Sequence, residues 1–139
     1  MFKWLRFRWM SQRRETESRG QAGERLAERF LRQTHDFMLV AQNWRNPRDR
    51  RDEIDLVMMD GEVLVFVEVK TRTAEALVPG VYAVDRRKKR VMRRTIAAYL
   101  RGLKELPRTH RFDVVQVSWP EAGTHGEPEI LHFEHVSLR

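Results

Sequence analysis

The 139-residue chain contains no cysteine. That absence excludes a disulfide framework, a thiolate zinc site, an iron–sulfur cluster and a thiol nucleophile, and it leaves any metal to oxygen or imidazole ligands. No apolar run approaches the ~20 residues of a membrane span. The opening Met1 to Met10 mixes aromatics with cations too often to form a signal-peptide core. The expectation is a cytoplasmic protein without stable membrane insertion. A glycine-rich phosphate loop, a nucleophile elbow and an HExxH pair are also missing. His132, Glu134 and His135 do not replace them, because in a strand His132 and His135 point to opposite faces.

What the sequence has in excess is positive charge: 27 Lys and Arg against 20 Asp and Glu, a formal +7. Such a balance favours a polyanionic partner. The excess is unevenly placed. Residues 85–111 carry eleven cations and two anions, and residues 1–19 carry six and two, whereas residues 20–84 carry nine and eleven. Residues 1–19 read as a basic, flexible arm, or as an element touching a membrane surface or nucleic acid. Residues 20–139 read as one globular domain, with no internal repeat.

Periodicity supplies the elements. Ala22, Leu26, Ala27, Phe30 and Leu31 recur at helical spacing over about 20–34. Phe37 to Ala41 reads as a short strand, followed by a long cationic loop from Asn43 to Arg51. Asp60-Gly61 between two β-rich runs predicts a two-residue hairpin turn. Asp85 can cap a helix running to about Lys104, ahead of Pro107. Phe112 to Val117 is a further strand, and Ile130 to Val136 can pair back on it. The order α-β-β-β-α-β-β predicts an α/β fold, a mixed sheet flanked by helices.

With Asp60 and Gly61 as the loop, Asp55 faces Phe66 and lies diagonal to Glu68, roughly 7–8 Å away. Period-two alternation then sends Asp55, Glu68 and Lys70 to one face and Val63, Val65, Val67 and Val69 to the other. A surface ion pair at a strand end is the ordinary reading of such charges. Leu64 and Phe66 on the same face argue that this face is covered, where unpaired charge is costly. Two hard carboxylates suit Mg2+ or Mn2+, which polarise a phosphodiester, and a neighbouring lysine can offset developing negative charge.

Asp55, then Glu68-Val69-Lys70, resembles the PD-(D/E)xK nuclease motif. Gly23-Glu24 with Ala27 and Leu31, Asn43-Trp44-Arg45, Glu53-Ile54-Asp55-Leu56, Val65 to Arg72, Ala83-Val84, Lys88 and Arg111 to Val115 together resemble the YraN family of endonuclease-like proteins, across about residues 20–118. The resemblance implies a restriction-endonuclease-like core related to Holliday junction resolvases. It implies Asp55 and Glu68 as metal ligands, Lys70 as the catalytic lysine and Glu24 reaching the same site. Helical spacing allows Glu24 that position at the edge of the apolar stripe, and equally allows a glutamate favoured by the helix dipole. The chain departs from the family pattern at Asp52 and at His35-Asp36, where glycine is usual, in a longer Pro47 to Arg51 loop, and in the link from Thr73 to Tyr82.

On the second helix Met92, Ile96, Tyr99 and Leu103 form one face, while Arg86, Arg90, Arg93, Arg94, Arg101 and Lys104 form another. Seven Lys or Arg stand between residues 86 and 94 with no acid among them. Arg72, Arg86, Lys88, Arg90, Arg93 and Arg94 are the expected phosphate-backbone contacts, recognising nucleic-acid shape, more readily DNA, over sequence. Trp4, Trp9, Trp44 and Trp119 can stack on bases or pack in their own core. Two functions remain open: a Mg2+- or Mn2+-dependent endonuclease, acting on branched or damaged DNA, and a nucleic-acid-binding module that keeps the fold without cleaving. A homodimer is open in either case.

Overall fold

A computed structural model describes residues 2–6, 17–73, 84–121 and 126–139. The elements are β1 (Phe2–Arg6), α1 (Arg19–His35), β2 (Met38–Asn46), β3 (Asp49–Asp60), β4 (Val63–Thr73), α2 (Arg86–Arg101), β5 (Thr109–Trp119) and β6 (Glu129–Phe133). The strands form one mixed sheet in the order β1-β6-β5-β4-β3-β2, in which β4 and β5 are parallel and the other neighbours antiparallel. The α2 crossover from β4 to β5 accounts for the parallel pair.

The sheet has a helix on each face. Leu26, Ala27, Phe30 and Leu31 of α1 pack on Leu56, Met58, Val65, Val67, Val115 and Val117. Met92, Ile96 and Tyr99 of α2 pack on Val57, Leu64, Phe66, Phe112 and Val114. Burial of both faces explains why β4 and β5 read as almost continuous apolar runs. This α/β architecture is the one expected, and it is compatible with a restriction-endonuclease-like core.

Local chemistry sets the helix ends. Ser18 and Gln21 form a reciprocal capping box at the start of α1. Asp36 closes α1 with φ 56°, a left-handed conformation in which its backbone N–H reaches Leu31 O. Asp is among the non-glycine residues that best tolerate this conformation. Asp85 caps α2 by accepting from Lys88 N at 2.9 Å. Gly102 ends α2 before the expected Lys104.

Three expectations change. The loop expected from Asn43 to Arg51 is mostly strand: β2 and β3 form a hairpin around Pro47-Arg48. Asn46 Oδ1 accepts from Arg48 N at 3.1 Å, the ion pair Arg45–Glu53 (3.1 Å) links the two arms, and Arg51–Asp49 (2.9 Å) forms within β3. Apolar periodicity misses this hairpin because its alternation is carried by charge. Secondly, Phe2–Arg6 lies in the sheet as β1, not in an arm, its backbone supplying partners to the outer edge of β6; the rest of the expected arm through residue 16 lies outside the described residues. Thirdly, β6 ends at Phe133, short of the expected Val136. His135 follows with φ 56° and donates its N–H to Asp113 at 3.1 Å.

At the far end of the α1 face, Asp113 is completely buried and accepts from Arg111 Nε at 3.0 Å, while His132 Nε2 lies 2.8 Å from its other oxygen. Arg111 continues to Asp60 at 2.9 Å. His132 is therefore a core residue paired with a carboxylate. Among the described residues no helix is long and apolar enough to cross a membrane.

Candidate active site at the fork of β3 and β4

β3 and β4 pair from Asp60↔Val63 to Leu56↔Val67. The turn is thus Gly61-Glu62, with Gly61 at φ 59°, the glycine-first pattern of a type II′ turn. The expected register, with Asp60-Gly61 as the loop, is off by two residues. An even shift leaves every side chain on its expected face: Val63, Val65, Val67 and Val69 do pack on the α1 side, and Leu64 and Phe66 on the α2 side. Continuing the observed register would set Asp55 opposite Glu68 instead of diagonal to it.

The ladder stops there, and β3 parts from β4. Asp55 Oδ2 accepts from Val69 N at 2.8 Å, so the carboxylate takes over a backbone donor that the diverging strand leaves free. The distortion has a visible origin on β2. Ala41 and Trp44 both pack toward α2, as do Val57 and Ile54. Residues three apart in a regular strand face opposite ways, so alternation is interrupted in both strands. Between them lie Asn43, at φ 49°, and Asp55.

Four carboxylates crowd this fork. Burial pushes the Asp55 carboxyl up to about 8, with the neighbouring charge of Glu68 adding to it and the Val69 N–H opposing it. Glu24 on α1 is likewise raised, by burial and then by Glu53 and Glu68. Glu24 is close enough to feel those charges, while its side chain lines a separate cavity with Gln21, Gln42, Asn43 and Leu56. Gly23 lets α1 come so near: a Cβ there would lie 2.5 Å from Thr71 Oγ1, beside Lys70. With Nδ2 turned toward the acids, Asn43 donates to Glu24 at 3.0 Å and to Glu53 at 3.2 Å; the reverse orientation would set its oxygen against two acceptors.

Lysines face the acids. Lys70 Nζ lies 3.0 Å from Glu68 Oε1. Burial weakens the proton affinity of Lys70, but a hydrogen bond with Lys88 and the Glu68 carboxylate outweigh it and raise the net value. Lys88 is shifted down, by that hydrogen bond first and then by burial and the charge of Lys70. An open cavity of about 430 Å³ is lined by Asp55 and Glu68 on one side, Arg87 and Lys88 of α2 on another, and Arg51 and Glu53 of the β2–β3 hairpin on a third.

The expected phosphate contacts divide. Lys88 lines the carboxylate cavity. Arg90 lines an adjoining one with Arg51, Arg87 and Arg94. Arg94 is committed to the fold, through a two-pronged pair with buried Asp52 at 2.7 and 2.8 Å. Arg93 lines a separate groove beside His135 and Val136. Arg86 is exposed at the start of α2, and Arg72 has its Nε buried without a hydrogen bond. Trp44 packs edge-on against Tyr99 at 5.1 Å, and Trp119 packs on the α1 core. The side chains of Trp4 and Trp9 lie outside the described residues, as does most of the Thr73 to Tyr82 link. Asn43, Glu53, Arg51 and Arg87 were not among the expected site residues. Glu53, two residues before Asp55, carried the clearest signal.

The donors suit a hard divalent cation: they are oxygen only, and the burial and neighbouring negative charge that raise Asp55 and Glu24 are what such a cation offsets. Among the described residues no group of three His, Asp or Glu is already gathered at metal-binding geometry.

A family model described as the uncharacterised protein family UPF0102 matches residues 23–117. A UPF0102 protein of Koribacter versatilis is 42% identical over 98 residues, covering 70% of this chain and 66% of that protein. One from Symbiobacterium thermophilum is 44% identical over 98 residues, covering 70% and 80%. One from Dichelobacter nodosus is 36% identical over 127 residues, covering 91% and 96%.

Proposed function

Since the chain belongs to the UPF0102 (YraN) family, we propose that it is a Mg2+- or Mn2+-dependent endonuclease-like phosphodiesterase acting on DNA, with a preference for branched or damaged structure. The observation that carries the reading is the meeting of Asp55, Glu68 and Lys70 at one fork, beside Glu24 and under a cationic helix. Asp55 and Glu68 would hold the cation, which when bound supplies Lewis-acid charge to the phosphodiester. Lys70, fixed by Glu68, offsets negative charge that grows on the reacting phosphoryl group. Glu24 steadies the acidic wall, and Lys88, Arg87 and Arg90 draw the backbone of the substrate across the cleft.

A second reading, a binding module that does not cleave, draws support from Lys70 already occupying Glu68 and Val69 N already occupying Asp55. Incubation with duplex, single-stranded and four-way-junction DNA in Mg2+ or Mn2+, beside Glu68→Ala, separates the two. Cation-dependent products from wild type alone support the enzyme. Salt-sensitive binding with no product supports the module, and neither result leaves both readings without support.

A further inference from the structure

We infer that Asn43 is a positioning residue for Glu24, acting as the central link of a relay that runs from Arg45 through Glu53 to the acidic wall of the cleft. This rests on the cation-site reading above. Three observations carry it. The side chain of Asn43 bridges the two carboxylates, at 3.0 Å to Glu24 Oε2 and 3.2 Å to Glu53 Oε1. Arg45 Nη2 takes the other oxygen of Glu53 at 3.1 Å, and Arg45 Nη1 is tied to Arg50 O at 3.0 Å. Both oxygens of Glu53 are thereby engaged, which makes it an anchor and leaves Glu24 Oε1 as the oxygen outside the relay.

The backbone supplies the third observation. Asn43 sits in the left-handed region in the middle of β2 and is skipped by the ladder, while its neighbours Gln42 and Trp44 keep their pairing with β3. A residue that conforms to the ladder would send its side chain to one face of the sheet. The break lets an amide carried by an edge strand reach a carboxylate on α1. Trp44, anchored against Tyr99, and Arg45, tied to Arg50 O, hold the segment that follows the link. Hydrogen bonds of this kind, one step behind a metal-holding wall, orient the groups in front of them, and their removal typically weakens metal affinity by roughly 10–100-fold.

The test is a titration of the full chain with Mn2+ for wild type, Asn43→Gly, Glu24→Gln and the double variant. Glycine accepts the φ of 49° without strain, so Asn43→Gly keeps the backbone and deletes only the amide, and its melting temperature reports any wider damage. The expected result is an affinity at least about tenfold weaker in Asn43→Gly at an unchanged melting temperature. The double variant should bind no worse than Glu24→Gln alone, because the amide acts through that carboxylate. Wild-type affinity in Asn43→Gly, losses that add in the double variant, or a loss that merely follows a lowered melting temperature overturns the inference while the cation site stands. A wild-type protein that takes up no Mn2+ overturns the site reading and this inference with it.

Discussion

Replacing Arg94 with alanine should destabilise the fold far more than replacing any other arginine on the exposed face of α2, because it strands the buried Asp52 carboxylate. The guanidinium meets Asp52 with two hydrogen bonds of 2.7 and 2.8 Å, and the Asp52 side chain is 3% exposed while that of Arg94 is 55% exposed. Breaking a fully buried pair costs about 3–5 kcal/mol, because a charge is left without a partner. An exposed pair is worth only about 0.2–1 kcal/mol. A buried acid with a half-exposed partner falls between. Urea denaturation of wild type, Arg94→Ala, Asp52→Ala and the double variant measures it, and Arg90→Ala serves as the comparison, with an expected change within about 0.5 kcal/mol. The double variant should recover much of the loss, since it removes the stranded carboxylate along with the arginine. Stability of Arg94→Ala within about 0.5 kcal/mol of wild type, or losses that simply add, would refute the assignment of Arg94 to the fold.

Two further outcomes follow from the packing and the buried charges. Gly23→Ala should cost about 1–3 kcal/mol by overpacking α1 against β4, as a melting curve would register, and Thr71→Ala in the same chain should restore most of it by removing the atom 2.5 Å away; an unaltered melting temperature in Gly23→Ala would contradict the close approach. Burial would raise Asp113, but hydrogen bonds from His132 and Arg111 outweigh it and hold the carboxyl below its usual 3.8. A depressed folded-state value means stability that is present above about pH 4 and lost as the pH falls through the folded value. Asp113→Asn should therefore be less stable than wild type by about 3 kcal/mol at pH 7, with the gap closing below pH 4, and a gap that is constant across that range would contradict the charged network.

Much of this was legible in the chain itself, and the parts that were not share a cause. Apolar periodicity located both helices and the strands β3, β4 and β5, because burial on two faces writes itself as unbroken Val, Leu and Phe. The faces of Asp55, Glu68 and Lys70 were readable despite a turn misplaced by one residue, since that moves each cross-strand partner by two and parity survives an even shift. The β2–β3 hairpin was hidden because ion pairs such as Arg45–Glu53, not apolar residues, knit its arms. Arg94 looked like its neighbours along the helix, and only the fold reveals the buried Asp52 beneath it. Asn43 was the hardest to read: its part depends on a left-handed residue inside a strand, which no side-chain pattern announces.

The most direct measurement of the central claim is the single-turnover rate of Mg2+-dependent DNA cleavage by wild type against Lys70→Ala, both at saturating protein. Lys70 Nζ lies 3.0 Å from Glu68, and in the proposed reaction its charge offsets that of the reacting phosphate. The account predicts a rate lower by about 10²–10³-fold in Lys70→Ala, with DNA affinity retained by the cations of α2. Equal rates for the two proteins, or no cation-dependent cleavage by wild type, would contradict it.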